Sequence, residues 1–161
     1  EVHLLAYFQD LSSLYAFQSD MEQFYDGIPN SPNIFGHQWI MNEQDQILGE
    51  KIQSLLTSLC LSFEDAVNLI RKHRGLPVPA HINKPAYSIL SQLGFIPSNL
   101  DLTLLEFSHN LPFNPDEFPN HKFLTSSDAH SLGQIQRGKI TIFVEELSEK
   151  GIYKYLNQYF I

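Results

Sequence analysis

The stretch SFEDAVNLIRKHRGLPVPAHI, residues 62–82, indicates the fold class of this chain. Ser62 is a favoured N-cap residue, and Asp65 stands at the reciprocal position of a capping box. The cations of residues 71–74 suit the negative end of a helix dipole, and Gly75 is a typical stop. The apolar run that follows is typical of a strand. A helix that leads directly into a strand is the repeating step of an α/β protein.

Similar short apolar runs lie on both sides of this stretch. A hairpin is predicted within residues 38–48, and loop residues separate the other elements. Strands and helices that alternate along a chain predict a mostly parallel sheet. The predicted strands are residues 2–8, 76–82, 102–107, 122–125 and 140–144, and the predicted helices are residues 11–25, 62–74, 85–94 and 147–161.

Length and composition limit the class of protein. The chain has 161 residues, of which 43% are hydrophobic, and this is enough to bury the core of one domain. The net charge of -8 argues against a basic face that clamps nucleic acid. No apolar run approaches the roughly 20 residues that span a bilayer, so no membrane partner is expected. A single cysteine, Cys60, cannot form an internal disulfide, which favours the cytoplasm.

Five polar residues stand at or near the predicted strands, where α/β proteins collect their chemistry: His3, His81, Glu106, Asp128 and His130. Each has a structural alternative, such as a hydrogen-bonded core histidine, a surface turn or a simple ion pair. Together, imidazoles and carboxylates that meet at one rim would suit Zn, Mn or Fe. If the segment stays extended, residues 128 and 130 face the same side.

Other kinds of site find little support. The sequence contains no Gly-rich phosphate loop, no Gly-x-Ser-x-Gly elbow and no cysteine pairs. Cys60 lies between two leucines and is interpreted as a buried apolar residue. The remaining histidines are interpreted as solvated residues: His37, His73, His109 and His121.

Several segments resemble the PHP family (polymerase and histidinol phosphatase). They are EVHLLAYF at residues 1–8, VPAHINKP at 78–85, YSILSQLGFIP at 87–97, LEFS at 105–108 and LTSSDAH at 124–130. The resemblance implies the C-terminal portion of a distorted (β/α)7 TIM-like barrel with mostly parallel strands. The family's opening His-x-His and its companions lie upstream of the strand that is residues 2–8 here. We therefore expect residues 1–161 to be a partial PHP domain that is inactive by itself.

The resemblance also implies the site and its cofactor. His3 and His81 would be ligands of one divalent ion, and Asp128 and His130 would complete neighbouring sites and act as catalytic residues. Lys84 and Glu106 would be substrate-binding residues. The complete protein would hold two or three ions of Zn, Mn or Fe.

The expected function is metal-dependent hydrolysis of phosphoesters, with a small phosphorylated substrate favoured over nucleic acid. Two alternatives remain open: a degenerate PHP module that serves binding or assembly, and a PHP-type exonuclease on DNA or RNA. The only dense basic cluster, residues 71–74, is better explained as a helix end than as a nucleic-acid track. Exposed sheet edges also predict self-association.

Overall fold

The computed structural model describes residues 1–135 and 141–158. In chain order the elements are β1 (Leu4–Tyr7), α1 (Leu11–Met21), α2 (Pro32–Phe35), β2 (Trp39–Met41), β3 (Ile47–Glu50), α3 (Phe63–Lys72), β4 (Leu76–Pro79), α4 (Ile89–Leu93), β5 (Leu104–Ser108), β6 (Lys122–Ser126) and α5 (Glu149–Asn157). Single 3-10 turns occur at Glu22–Phe24, Ser98–Leu100, Pro115–Glu117 and Leu132–Gln134. None of the described helices is long and apolar enough to cross a membrane.

The chain divides into two compact units. The core unit comprises Glu1–Phe17 and the described residues from Phe63 onward, and the insert unit is Gln18–Ser62. The core unit contains two separate two-stranded ladders. Strands β1 and β4 pair antiparallel, whereas β5 and β6 pair parallel.

This topology corrects the predicted fold class. A portion of a (β/α)7 TIM-like barrel with mostly parallel strands is wrong, because the described strands form three two-stranded sheets of which only β5–β6 is parallel. The connection from β5 to β6 contains a short 3-10 turn in place of the crossover helix of a βα unit. The fold is a small mixed α/β arrangement.

The prolines of β4 explain why its ladder stops at one partner. Leu4 lies opposite Pro79, and the N–H of Ala80 donates to the carbonyl oxygen of His3 at 3.1 Å in the same register. Hydrogen-bonded positions alternate in an antiparallel pair, so Pro77 and Pro79 face the edge away from β1. Proline has no N–H, and that edge of β4 therefore cannot donate a regular second ladder.

The bounds of individual helices and strands agree with the sequence-based predictions more closely than the sheet topology does. Helix α3 and strand β4 lie inside the predicted helix 62–74 and strand 76–82. The predicted strand 140–144 is different: Ile140 lies outside the described residues, and residues 141–144 form no strand, with Phe143 89% exposed. Helix α5 ends at Asn157, and residues 159–161 of its predicted range lie outside the described residues.

The apolar core lies in the core unit and supports the ends of β4 and β5. Val67 and Ile70 form the buried face of α3. Gly75 follows that helix, and a Cβ there would lie 2.6 Å from the Phe8 ring and 2.7 Å from Ile70, so only glycine allows this close approach. The members of the two buried clusters are Val67, Leu76, Val78, Ile82, Ile89, Leu100, Leu102, Leu104, Leu105 and Leu156.

The insert unit is built around the antiparallel β2–β3 hairpin, in which Trp39 lies opposite Glu50. An isolated bridge joins Pro29 to Gln53. Of residues 18–62, all of which the structure describes, only Ser54 is buried. Cys60 is exposed, so its predicted burial is wrong, because this unit has no apolar core to receive it.

Candidate functional site

Two of the predicted site residues meet where β1 begins and β4 ends. Because the strands are antiparallel, His3, just before β1, lies beside His81, just after β4. Nδ1 of His3 and Nε2 of His81 share a hydrogen bond of 3.1 Å, and the rings meet edge to face at 67°. His81 is only 4% exposed, whereas His3 is open to solvent. The structure thus brings two of the predicted site residues together.

Neighbours on both sides hold the His3 ring. The Tyr87 ring stacks on it with centroids 5.1 Å apart and planes within 7°. The N–H of His3 donates to the carbonyl oxygen of Tyr87 at 2.8 Å, and Nε2 lies 3.3 Å from Oε1 of Glu1. Sequence reasoning missed Tyr87, because its position depends on a left-handed backbone, φ +60°, that no local pattern in the sequence indicates.

Glu106 of β5 holds the end of β4 in place. Its side chain is 5% exposed; Oε2 accepts the backbone N–H of His81 at 3.0 Å, and Oε1 accepts the hydroxyl of Ser126. The carbonyl oxygen of Glu106 also accepts the N–H of Ile82 at 2.8 Å. Both carboxylate oxygens therefore bind protein groups, and the residue positions His81 with respect to β6.

Asn83 adds a second clamp between the end of β4 and β5. Its Nδ2 donates to the carbonyl oxygen of Ser108 at 2.9 Å, and its Oδ1 accepts the N–H of Ser108 at 2.8 Å. This two-bond contact fixes the turn that follows His81. In that turn the N–H of Lys84 donates to the carbonyl oxygen of His81 at 2.9 Å.

Lys84 and Asp128 form an ion pair next to the imidazoles. Nζ of Lys84 donates to Oδ2 of Asp128, and both side chains are partly buried. Partial burial alone would raise the pKa of Asp128, but the hydrogen bond and charge of the Lys84 ammonium hold that pKa below its usual value. Burial lowers the pKa of His81, and Lys84 lowers it further. The site therefore favours an ionised carboxylate and a neutral His81.

His130 makes its hydrogen bonds within its own loop. Its Nδ1 lies 2.9 Å from the carbonyl oxygen of Asp128, and its N–H donates to Oε1 of Gln134 at 2.8 Å. The prediction that Asp128 and His130 face one side assumed an extended segment. That assumption is wrong, because Asp128 adopts a left-handed backbone with φ +47°.

Three residues of this cluster have a left-handed backbone. Of the six described non-glycine residues with positive φ, three lie here, His81, Tyr87 and Asp128, at +31°, +60° and +47°; the other three are Asp45, Arg74 and Asp101. Such conformations are unfavourable for side chains other than glycine and persist where surrounding contacts hold them. Strained backbone of this kind is often found at functional sites. Here it determines the directions of three side chains of the cluster.

The two imidazoles fit part of a metal site. Two nitrogens that bind one tetrahedral zinc ion at about 2.0–2.1 Å lie about 3.3 Å apart, close to the 3.1 Å between His3 and His81. Nδ1 of His81 is buried and has no hydrogen-bond partner, so it lacks the outer contact that usually orients a ligand histidine. Among the residues that the structure describes, no group of three or more His, Cys, Asp or Glu could hold a metal ion. The described geometry thus provides two donors of the four predicted.

Comparison with known proteins finds no relative. The chain matches no protein-family model, and neither a curated protein nor a solved structure matches it. Function must therefore be argued from the residues and their geometry.

Proposed function

We propose that this chain contributes to metal-dependent hydrolysis of phosphoesters, with His3 and His81 as ligands of a divalent ion. The observation that carries the proposal is the 3.1 Å separation of their facing nitrogens. The neutral state favoured for His81 leaves a lone pair for a metal. The resemblance of the VPAHINKP and LTSSDAH segments to the PHP family supports the same chemistry. Zn, Mn or Fe suits imidazole donors.

The remaining ligands of the proposal are Asp128 and His130, which would have to turn toward the imidazole pair. For Asp128 this requires release from Lys84, its ion-pair partner. When bound, the divalent ion would polarise a phosphoryl oxygen and screen the negative charge on the phosphate.

The side chains of this chain suggest how a phosphoester is handled. A phosphate oxygen competes with Asp128 for the Lys84 ammonium, so substrate binding frees the Asp128 carboxylate. That carboxylate accepts a proton from the attacking water as the new P–O bond forms. The old P–O bond breaks, and the leaving oxygen takes a proton from solvent water, since His130 would be a neutral ligand of the ion. Glu106 acts as a positioning residue through His81.

A small phosphorylated substrate is the proposed ligand, because the described site offers one cationic lysine, Lys84, and no extended basic track. The chain is acidic overall, with 18 acidic against 10 basic side chains, which disfavours a long nucleic acid. With one cysteine, Cys60, a reducing compartment such as the cytoplasm is the proposed location.

A second candidate is a non-catalytic module that binds a phosphorylated ligand or assembles with a partner. The ion pair between Lys84 and Asp128 favours it, because an internal cation already neutralises that carboxylate. In this case the Lys84 ammonium still leaves Asp128 to bind the phosphate of the ligand, but binding needs no metal.

Metal titration separates the two candidates. Zn²⁺ and Mn²⁺ are titrated into the chain by calorimetry, and p-nitrophenyl phosphate turnover is measured in the same buffers for the chain and for the natural full-length protein. The metalloenzyme proposal predicts binding that falls about tenfold or more in His3→Ala and His81→Ala. The matched control is His37→Ala, which removes an exposed imidazole from the insert unit and should bind like the parent.

Turnover in the full-length protein should require metal and should fall at least about a hundredfold in Asp128→Asn. Phosphate binding without metal binding, abolished by Lys84→Ala, would establish the second candidate and overturn the first. Metal binding that His3→Ala and His81→Ala leave unchanged would overturn the assignment of the ligands.

A further inference from the structure

One buried serine of the core unit has no part in the chemistry proposed above. Ser88 is 0% exposed and immediately precedes α4. Its hydroxyl accepts the N–H of Ser91 at 3.1 Å and donates to the carbonyl oxygen of Lys84 at 2.7 Å. The first contact caps the helix, whereas the second reaches back four residues into the loop that follows His81. Ser88 is therefore bonded to the candidate site as well as to the helix.

This hydroxyl closes a short loop, residues 84–88, that is fastened to both imidazoles. At its start, the N–H of Lys84 donates to the carbonyl oxygen of His81 at 2.9 Å. At its end, the Tyr87 ring stacks on the His3 ring, and the Tyr87 carbonyl oxygen accepts the His3 N–H at 2.8 Å. Because Ser88 joins the two ends, the position of Tyr87 depends on its hydroxyl.

Tyr87 needs such support to keep its conformation. Its φ is +60°, in the left-handed region, which is unfavourable for a residue with a bulky side chain. Its side chain is 51% exposed, so burial does little to hold the ring in place. The cost of a strained backbone residue is of the same order as the net stabilisation by one or two hydrogen bonds. Loss of the bond that closes the loop can therefore release the ring from His3.

His3 in turn depends on the Tyr87 ring, because its own side chain is 45% exposed. An unrestrained imidazole has about three χ1 wells with about two ring orientations in each. The hydrogen bond to His81 requires Nδ1 of His3 to point at Nε2 of His81, which one of these arrangements provides. Apparent affinity scales with the fraction of molecules in the competent state, so full release of His3 lowers the affinity for a metal by up to about sixfold.

We propose that Ser88 is a positioning residue of this site, whose buried hydroxyl closes the 84–88 loop and thereby holds the Tyr87 ring on His3. The inference rests on the proposed function where it concerns metal affinity. The placement of the His3 ring by Ser88 is measurable without any metal.

Two variants of the full chain remove the hydroxyl. Ser88→Ala removes both of its contacts, and Ser88→Gly does the same but keeps a residue that is favoured at helix N-caps, so it preserves the test if the alanine variant does not fold. The matched control is Ser91→Ala, which removes the reciprocal capping contact to the Ser88 N–H and leaves the bond from Ser88 to Lys84 in place. Circular dichroism checks that each variant is folded.

The first measurement is NMR spectroscopy of the metal-free chain. In the parent, the ring current of Tyr87 should shift the His3 imidazole protons upfield, as expected for two stacked rings. Both Ser88 variants should lose this shift, and Ser91→Ala should keep it. Tyr87→Asn supplies the value for a His3 ring without its partner, since asparagine is among the residues that best tolerate the left-handed backbone.

The second measurement is calorimetric titration with Zn²⁺ alone. The affinity should fall by up to about sixfold in both Ser88 variants, which is the cost of a freely rotating His3. Ser91→Ala should bind like the parent. A serine that only caps the helix would give the same affinity in all of these variants.

The two measurements separate this inference from the proposed function. If the parent binds no Zn²⁺, the proposed function fails, and the NMR comparison alone decides the role of Ser88. The inference is overturned if the parent shows the same His3 shift as Tyr87→Asn, if the Ser88 variants keep the parent shift, or if Ser91→Ala loses it equally. Zn²⁺ binding by the parent that both Ser88 variants match would also overturn it.

Discussion

The core unit and the insert unit use apolar residues in opposite ways. All thirteen buried hydrophobic residues found in the described chain lie in the core unit, where they hold the ends of β4 and β5 and thereby the His3–His81 pair. The insert unit buries none of its apolar side chains and exposes eleven large ones. The difference teaches that apolar content does not by itself measure stability. In one unit it fixes the geometry of a site, and in the other it stays exposed.

Amide hydrogen exchange should show the largest contrast between the units. Amides of β5, which are buried within the core unit, should exchange only through global unfolding, whereas those of β2 and β3 should open locally. For a domain of ordinary stability the rates should differ by about a thousandfold or more. Mass spectrometry of exchanged peptides measures this. Equal protection in both units would show that the insert unit has a core of its own.

A matched pair of leucine truncations sharpens the same comparison. Leu105→Ala, at a side chain with 0% exposure, should lower the free energy of unfolding by about 2–5 kcal/mol, because it removes buried contacts and leaves a cavity. Leu48→Ala, at 67% exposure, should change it by less than about 0.5 kcal/mol. Urea unfolding followed by circular dichroism compares them. Similar losses in both variants would mean that Leu48 is buried in the native protein.

Substitution of Glu106, with the next largest expected effect, tests whether this residue stabilises the core unit. Glu106→Ala removes the acceptor of the His81 N–H and the Ser126 hydroxyl and should cost about 1–3 kcal/mol of unfolding free energy. Glu106→Gln keeps one acceptor oxygen and should cost less. The control Glu117→Ala removes an exposed carboxylate and should have little effect. If Glu106→Ala is as stable as the parent, His81 is held by other contacts.

The smallest expected effect concerns Tyr7 of β1. Burial raises the pKa of its phenol above 10.0, and the Glu106 carboxylate raises it further. The folded state therefore keeps the proton to higher pH than the unfolded state does. The contribution of this phenol to the free energy of unfolding is fully present below about pH 10 and is lost as the pH rises through the pKa of the folded state. Tyr7→Phe should flatten this decline in urea midpoints measured from about pH 9 to about pH 11. An unchanged decline would assign it to other groups.

Local signals in the sequence predicted where helices and strands lie better than they predicted which strands pair. The bounds of α3 follow from Ser62, the terminal cations and Gly75, all of which act within one helical turn. The barrel was wrong because strand partners are decided far along the chain, although the alternate prolines of β4 already indicated a donor-poor edge. The meeting of His3, expected inside a strand, and His81, expected at a strand end, was predicted as part of a larger cluster of imidazoles and carboxylates. The placement of His130 was not predicted, because it depends on the left-handed backbone of one residue, Asp128.

The antiparallel pairing of β1 with β4 also bears on the order of folding. Helix α3 and strand β4 are neighbours in sequence and can meet after a short loop closes. The contact between His3 and His81, in contrast, joins positions 78 residues apart, and closing so long a segment carries a larger entropic cost. The imidazole pair is therefore expected to form after the local contact of α3 with β4 in a refolding chain.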